Sequence, residues 1–399
     1  MKSKIFISFL GSTQYTPCKY EFEGRISSEV TFVQAAIAEL ILTQEDFRDC
    51  FILMTNNAKV KNWDRLSSEL NGLGLNVHNK DIPEGFDEES IWQIFDIIYN
   101  LIDNDSEIIL DITHGFRSLP LLGNTLINYS KVLKNIKVKK ILYGAFDARN
   151  KQANDAVPLL NLVSFSTLND WSYAANSFLY HGTSEELAKL LGEEGKPFLD
   201  FTNDILTTRS LEIISGESVN NIQEILNKVE NSHPAIKPIL KKVSNLLRNF
   251  KKNNPLNLLE AVKWCVANKL TQQGYTLLSE FLITFVLMQL NLDYKDKDIR
   301  ELINGFLMIN GNITKFNFQK FNPKNDPEIQ LKYEKILEDA RKLPGFNDLC
   351  RRAHSINSYR NDINHAGTNN NPRSAEKLQA DLKDKLDKLE DIIKNNYAC

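Results

Sequence analysis

Cysteine is scarce and scattered. Cys18, Cys50, Cys265, Cys350 and Cys399 are the five in 399 residues, and no two form a CxxC pair. That excludes a paired-cysteine zinc site and a disulfide framework, and fits a reducing compartment. An excess of one charge is also lacking, since 48 basic and 51 acidic residues leave a formal net charge of −3. A generally basic nucleic-acid coat is excluded, so any RNA or DNA contact must rest on local basic patches. No apolar run reaches the length of a membrane span. The stretch Ile5 to Leu10 is short, contains Ser8 and lacks a convincing cleavage site before Gly11, so it does not read as a secretory signal. Internal repeats and low-complexity tracts are missing too. The expectation is a cytoplasmic protein of two or three domains, because single cores stop growing beyond roughly 250–300 residues.

What is present begins as an alternation. Ile5–Leu10, Phe51–Met54, Ile108–Leu110 and Lys140–Phe146 read as buried strands. Between them, Val30–Leu42, Ser90–Ile102 and Leu119–Leu133 carry apolar residues at helical spacing. This predicts an α/β domain over residues 1–168, Rossmann-like with a parallel sheet, whose ligands sit beyond the carboxyl ends of the strands. From residue 169 to 399 the pattern turns helical, through Trp171–Tyr180, Ser184–Leu191, Asp204–Ile214, Val219–Val229, Leu258–Lys269 and Tyr275–Leu290. Residues 292–343 are less periodic and read as an insertion of short helices and loops. Pro372–Asn395 is a last amphipathic helix, and its leucine spacing, lasting about two heptads, marks a packed face more than a coiled coil. No Pro/Gly linker separates the domains, which predicts a continuous helical junction.

Two motifs carry chemistry. Asp111-Ile112-Thr113-His114-Gly115-Phe116-Arg117-Ser118 follows a buried strand, with Pro120 in the first turn of the next helix. The loop offers backbone amides, a hydroxyl, His114 and Arg117 at one helix start, a combination that favours an anion. The alternative is that Asp111 and Thr113 only satisfy local backbone groups. Gly11-Ser12-Thr13, beyond the first strand, tilts the reading toward binding. The second motif is Arg360-Asn361-Asp362-Ile363-Asn364-His365. Metal-free RNA cleavage needs a proton carrier, which histidine supplies, and a fixed cation on phosphate, which arginine supplies. On one helix Arg360 and His365 lie about 140° apart in azimuth and about 7.5 Å in rise, so a second copy of the helix would help bring them together. Asn361 stands ready to hold the guanidinium or the substrate. R-x4-H spacing alone is more often an ordinary exposed helix. His354 is a second candidate proton carrier and Arg351 and Arg352 are candidate substrate contacts, all of the same weak kind. The basic stretch Lys241-Lys242, Arg248, Lys251-Lys252 could track an RNA backbone but reads more readily as a solvated helix face.

At these residues the chain resembles a known family. Lys4 to Gly11, Thr31-Phe32-Val33-Gln34, Asn62-Trp63, Asp111 to Pro120 and Tyr143-Gly144-Ala145 are similar to the DxTHG branch of CRISPR-associated CARF proteins, a likeness that covers nearly all of residues 1–180. The C-terminal half resembles a HEPN domain, with Gln273, Tyr275 to Leu278 and Glu280 as its earlier helix and Arg360 to His365 as its R-x4-6-H signature. The resemblance implies a type III CRISPR ancillary ribonuclease. A homodimer, or an oligomer of dimers, would pair two CARF domains around a cyclic oligoadenylate and two HEPN domains into one RNase site. It assigns Gly11, Ser12, Thr13, Thr113, His114, Gly115, Phe116, Arg117 and Ser118 to the activator pocket. Arg360, His365 and Asn361 become the catalytic group, acting on single-stranded RNA with neither metal nor cofactor. A two-fold axis suits an even ring, so cyclic tetra-adenylate is expected, with cyclic hexa-adenylate as alternative. Two other functions stay open: a sensor that does not cut, and a ring nuclease whose CARF pocket, helped by His114 and Arg117, degrades its own activator.

Overall fold

The computed structural model describes residues 3–114, 119–149, 155–229, 235–368 and 371–397, with the backbone alone at 119, 120 and 229. The chain divides into two compact units, Met1–Asn169 and Asp170–Cys399, and the helix Val163–His181 runs through the division.

The first unit is built on an eight-stranded sheet. Its strands are β1 (Lys4–Leu10), β2 (Lys19–Phe22), β3 (Arg25–Ile26), β4 (Asp49–Met54), β5 (Asn76–Asp81), β6 (Glu107–Asp111), β7 (Lys137–Gly144) and β8 (Ala156–Asn161). They lie in the order β3-β2-β8-β7-β6-β1-β4-β5. β1 sits between β6 and β4, parallel to both, and is buried from Ile5 to Leu10. An unbroken apolar run encodes burial on both faces. Alternate residues feed two cores: Phe6 and Leu10 pack with Phe32, Val33 and Ile37, while Ile5, Ile7 and Phe9 pack with Ile94, Ile98 and Leu126.

The sheet is mixed, which corrects the expectation of a parallel one. β7 and β8 pair antiparallel, as do β2 and β3. A parallel crossover needs a dozen or more residues, usually a helix, and residues 145–155 between β7 and β8 are too few for one. β2, β3, β5 and β8 are strands that the periodicity reading lacks. In β5 the reason is plain: Asn76-Val77-His78-Asn79-Lys80-Asp81 is a polar edge strand, held by backbone pairing with Asp49–Met54 and only partly covered. The helix that starts at Val33 passes through a π-helical stretch, Ala38–Leu42, and continues over Thr43–Glu45.

The second unit is helical in its described residues. The helix Thr271–Gln289 is its centre, with Leu277, Leu278, Phe281 and Val286 fully buried. Around it stand Asn257–Ala267, Lys297–Met308, Phe346–Asn364 and Ala375–Asn396. Gly274 permits the close approach of Ala375–Asn396, because a Cβ there would lie 2.5 Å from Leu382 Cδ2. Two expectations change. The helix read over Asp204–Ile214 is two helices, Lys196–Leu206 and Ser210–Ser215, broken at Thr208, whose φ is +54°. Residues 292–343 hold two regular helices, Lys297–Met308 and Pro327–Lys342, each opened by an aspartate cap that sequence periodicity does not register. Among the described residues no helix is long and apolar enough to cross a membrane.

Candidate functional site

Each unit carries a cavity at the place its motif occupies. In the first unit the cavity is about 280 Å³ and lies beyond the carboxyl ends of β1 and β4. Gly11, Ser12, Thr13, Tyr15, Thr55 and His114 line it. The loop after β1 is held from both sides. Asn62, on the helix Asn56–Leu70, donates to the carbonyls of Gly11 (2.9 Å) and Thr13 (3.0 Å), and Gly11 N–H donates to Tyr15 Oη at 2.8 Å. A Cβ on Gly11 would meet that same oxygen at 2.8 Å, so a larger residue there would have to push the tyrosine hydroxyl aside.

Beneath the loop lies a buried polar network. The β1–β6 register pairs Ile7 with Leu110, and Ser8 and Asp111 follow one step on. Ser8 Oγ donates to Asp111 Oδ2 at 2.6 Å and receives Gln34 Nε2 at 3.1 Å; the same Nε2 lies 3.0 Å from the Phe9 carbonyl. Asp111 Oδ1 accepts from Thr113 N–H (3.0 Å) and Thr113 Oγ1 (2.5 Å), and Gly144 N–H donates to that hydroxyl at 2.8 Å. Ser8, Gln34 and Asp111 are fully buried. One carboxylate thus fixes the turn after β6 to β1 and β7 together.

Electrostatics follow from that burial. Complete burial raises the Asp111 carboxyl above the usual aspartate range, against the Ser8 and Thr113 donors that favour its charged form. Burial lowers His114, and the nearby Asp111 charge works against the shift. The histidine packs edge-on to Tyr15 with ring centroids 4.6 Å apart, and its Nε2 is buried without a hydrogen-bond partner among the described residues. Burial also pushes the Tyr15 hydroxyl up to about 12. A neutral imidazole with an unused nitrogen, at a cavity floored by backbone and hydroxyls, can take or give one hydrogen bond to a bound ligand. Of the predicted pocket residues, the structure brings Gly11, Ser12, Thr13 and His114 to the cavity. Thr113 stands behind it, tied to Asp111 and Gly144. Gly115, Phe116, Arg117 and Ser118 lie outside the described residues.

In the second unit the motif closes the helix Phe346–Asn364, and His365 is its C-cap. The chain turns away through Ala366 (φ +53°) and Gly367 (φ +66°), while Gly367 N–H donates to the Asp362 carbonyl at 3.0 Å. An open cavity of about 630 Å³ runs along this end. His354, Ser358, Asn361 and His365 line it as one stripe, spaced i, i+4, i+7, i+11, with Arg373 and Met308 opposite. His365 and Asn361 are exposed. Arg360 is half-buried on another side of the helix, outside the lining, and its Nε has no hydrogen-bond partner among the described residues.

The residues that hold this helix end are Tyr359, Asp362, Arg373 and Lys385. Asp362 Oδ2 accepts from Arg373 N–H at 3.0 Å and from Arg373 Nη1 at 3.3 Å. The Tyr359 ring has the Arg373 guanidinium and the Lys385 ammonium each 3.9 Å from its centroid, stacks on Tyr275, and donates its hydroxyl to Asp381. Burial lowers Lys385, whose ammonium bonds Ser355 at 2.9 Å. Glu280 is occupied with Arg300 at 2.6 Å, and Tyr275 donates to the Leu378 carbonyl. Lys241, Lys242 and Arg248 are exposed on the helix Lys237–Leu247 and its end. Among the described residues no cluster of three or more His, Cys, Asp or Glu side chains is arranged to hold a metal.

Sequence reasoning missed Ser8, Gln34, Tyr15 and Arg373. Ser8 left a signal, a polar residue inside an apolar strand. Arg373 left none: it stands eight residues past His365, beyond the turn that ends the helix.

Comparison with known proteins adds lineage to this geometry. Residues 5–147 match the CARF domain of the family described as CRISPR system endoribonuclease Csx1. The chain is 27% identical over 235 residues to the CRISPR-associated protein MJ1674 of Methanocaldococcus jannaschii, covering 57% of this chain and 37% of that protein. It is 33% identical over 104 residues to the uncharacterized protein MJ1493 of the same organism, covering 24% of this chain and 45% of that one. The chain spans less than half the length of these curated relatives. Residues 5–147 thus carry a CARF domain, in a chain similar over part of its length to CRISPR-associated proteins.

Proposed function

We propose that this chain is a cyclic oligoadenylate-gated, metal-independent endoribonuclease of the CARF–HEPN kind, cleaving single-stranded RNA in type III CRISPR antiviral defence as a homodimer. One observation carries the reading. A chain with a CARF domain also presents an exposed histidine, His365, at an open polar cavity on the end of a helix that carries the R-x4-H spacing. The family described for residues 5–147 is itself an endoribonuclease.

In this reading the activator occupies the first cavity, against Gly11–Thr13, Thr113 and His114, and Gly115 to Ser118 are the further pocket residues the resemblance assigns. Cyclic tetra-adenylate is the expected ring and cyclic hexa-adenylate the alternative. Binding shifts the dimer toward its cutting state by the difference in affinity for the two states. At the second cavity His365 moves the proton between the 2′-hydroxyl and the departing 5′-oxygen, Arg360 stabilises the phosphorane charge, and Asn361 orients the phosphate. The products are a 2′,3′-cyclic phosphate and a 5′-hydroxyl. Arg360 and His365 diverge around the helix, so two facing helices of a dimer would supply the histidine of one and the arginine of the other.

The test is cleavage of a fluorescent single-stranded RNA in EDTA, with cyclic tri-, tetra- or hexa-adenylate added separately and His365→Ala alongside. Cleavage with one ring, abolished in the variant, is the expected result. Activator binding without cleavage under any condition would replace the nuclease by a sensor that does not cut.

A further inference from the structure

The R-x4-H spacing makes Arg360 the obvious partner of His365, yet the arginine that lines the cavity with His365 is Arg373. It arrives from the segment after the helix, and its orientation is fixed at four points. Its backbone N–H and Nη1 reach Asp362 Oδ2, Nη2 reaches Ser358 Oγ at 3.1 Å, and the guanidinium lies 3.9 Å from the Tyr359 ring centroid. Two guanidinium nitrogens make these bonds, Nη1 to Asp362 and Nη2 to Ser358, of a group that carries five N–H donors. The side chain remains 27% exposed, at a cavity whose other polar groups are two histidines, three asparagines, Ser358 and Asp362, the acid already paired with this arginine. A cation already held in place loses little freedom when it takes a phosphate, and a fork of N–H donors suits phosphate oxygens.

We propose that Arg373 is a phosphate-binding residue of the C-terminal cavity, holding an RNA backbone phosphate beside His365. The reaction part of this rests on the ribonuclease reading, while the binding part rests on the cavity alone. Asp362 explains why the arginine is aimed and not floppy: its side chain is 2% exposed, so the ion pair is anchored on its acidic side and open on its basic side.

The simple variant is ambiguous, because removing Arg373 takes the ion-pair partner from the buried Asp362, and a misfolded helix end would mimic lost binding. The test therefore pairs Arg373→Gln with the double variant Asp362→Asn/Arg373→Gln, which removes both charges, and with Arg373→Lys. The first readout is binding of a fluorescent 2′-O-methyl RNA, which lacks the nucleophile and cannot be cut. The full chain is used, with each cyclic oligoadenylate and without any. The double variant is expected to keep the wild-type melting temperature within a few degrees and its activator affinity. Its RNA binding should weaken by about ten- to a hundredfold, the loss of one charge-assisted contact, and the salt slope should fall by about 0.7. Arg373→Lys should recover part of both. RNA binding by the folded double variant equal to wild type would overturn the proposal and leave Arg373 as a clamp. Failure of the wild type to bind RNA in any state would overturn it as well. Wild type that binds the 2′-O-methyl RNA but leaves unmodified single-stranded RNA uncut with every ring, with binding lost in the double variant, would uphold Arg373 and sink the ribonuclease reading instead.

Discussion

At the cavity of the first unit the acidic group that organises the loop, Asp111, is fully buried and receives donors from two strands and its own turn. At the cavity of the second unit the exposed groups, His365 and Asn361, stand on a helix end whose one buried acid, Asp362, is paired with Arg373. The first arrangement makes a rigid cradle of backbone and hydroxyls, suited to recognising a ligand by shape and hydrogen bonds. The second leaves titratable side chains in water, suited to passing protons and meeting a long flexible chain. The difference teaches where each site is vulnerable. Changes at the first should cost stability and ligand response together, whereas changes at the exposed second should cost chemistry alone.

Breaking the second site should have the largest effect. His365→Ala is expected to lower activated RNA cleavage by about 10²–10⁴-fold, with activator binding by calorimetry intact; lost activator binding would abolish the separation between the sites. Next comes Thr113→Val, which removes the hydroxyl shared by Asp111 and Gly144 N–H. Urea unfolding of the first unit should register a loss of about 1–3 kcal/mol, the cost of leaving buried partners unsatisfied, and more activator should be needed for half-maximal cleavage. Arg117→Ala should raise the activator requirement too, and an unchanged requirement in both variants would contradict the pocket placement.

A smaller effect sharpens the electrostatic side of the comparison. Because His114 is lowered by burial, the folded domain keeps it neutral where the unfolded chain begins to take up a proton. Its contribution is fully present above the ordinary histidine value and is lost as pH falls through that value toward the lowered one. Asp111, shifted upward, contributes with the opposite sign. The His114 share of the stability should therefore decline on acidification below about pH 6.5, and His114→Asn should remove that share from the profile. An identical slope in the variant would assign the titration elsewhere. The smallest change is expected from Tyr359→Phe, which loses the bond to Asp381 and keeps the ring between Arg373 and Lys385. A melting shift equivalent to about 1 kcal/mol is the expected reading, and a much larger one would make that hydroxyl the main anchor of the helix end.

Parts of this molecule were legible in one dimension. β1 and β6 announced themselves as unbroken apolar runs ending in Gly11 and Asp111, and a strand buried on both faces must look that way. Edge strands were not legible. β5 is polar because only its backbone is needed by the sheet, and the antiparallel β8 depends on a link too short for a crossover. Gln34 escaped notice because its role is set by Ser8 and Phe9, distant in the chain, and not by its own neighbours.

By itself the amino-acid sequence determined the alternating and then helical layout, the turn at Asp111–His114, and a histidine set near an arginine at a helix end. These are local properties, written in periodicity and in residues next to one another. Only the tertiary structure decided that Ser8, Gln34 and Thr113 converge on one buried carboxylate, and that Arg373 and not Arg360 shares a cavity with His365. Azimuth around a helix separates near neighbours, while the return of the chain joins distant ones, and neither is visible until the helix is placed against its surroundings.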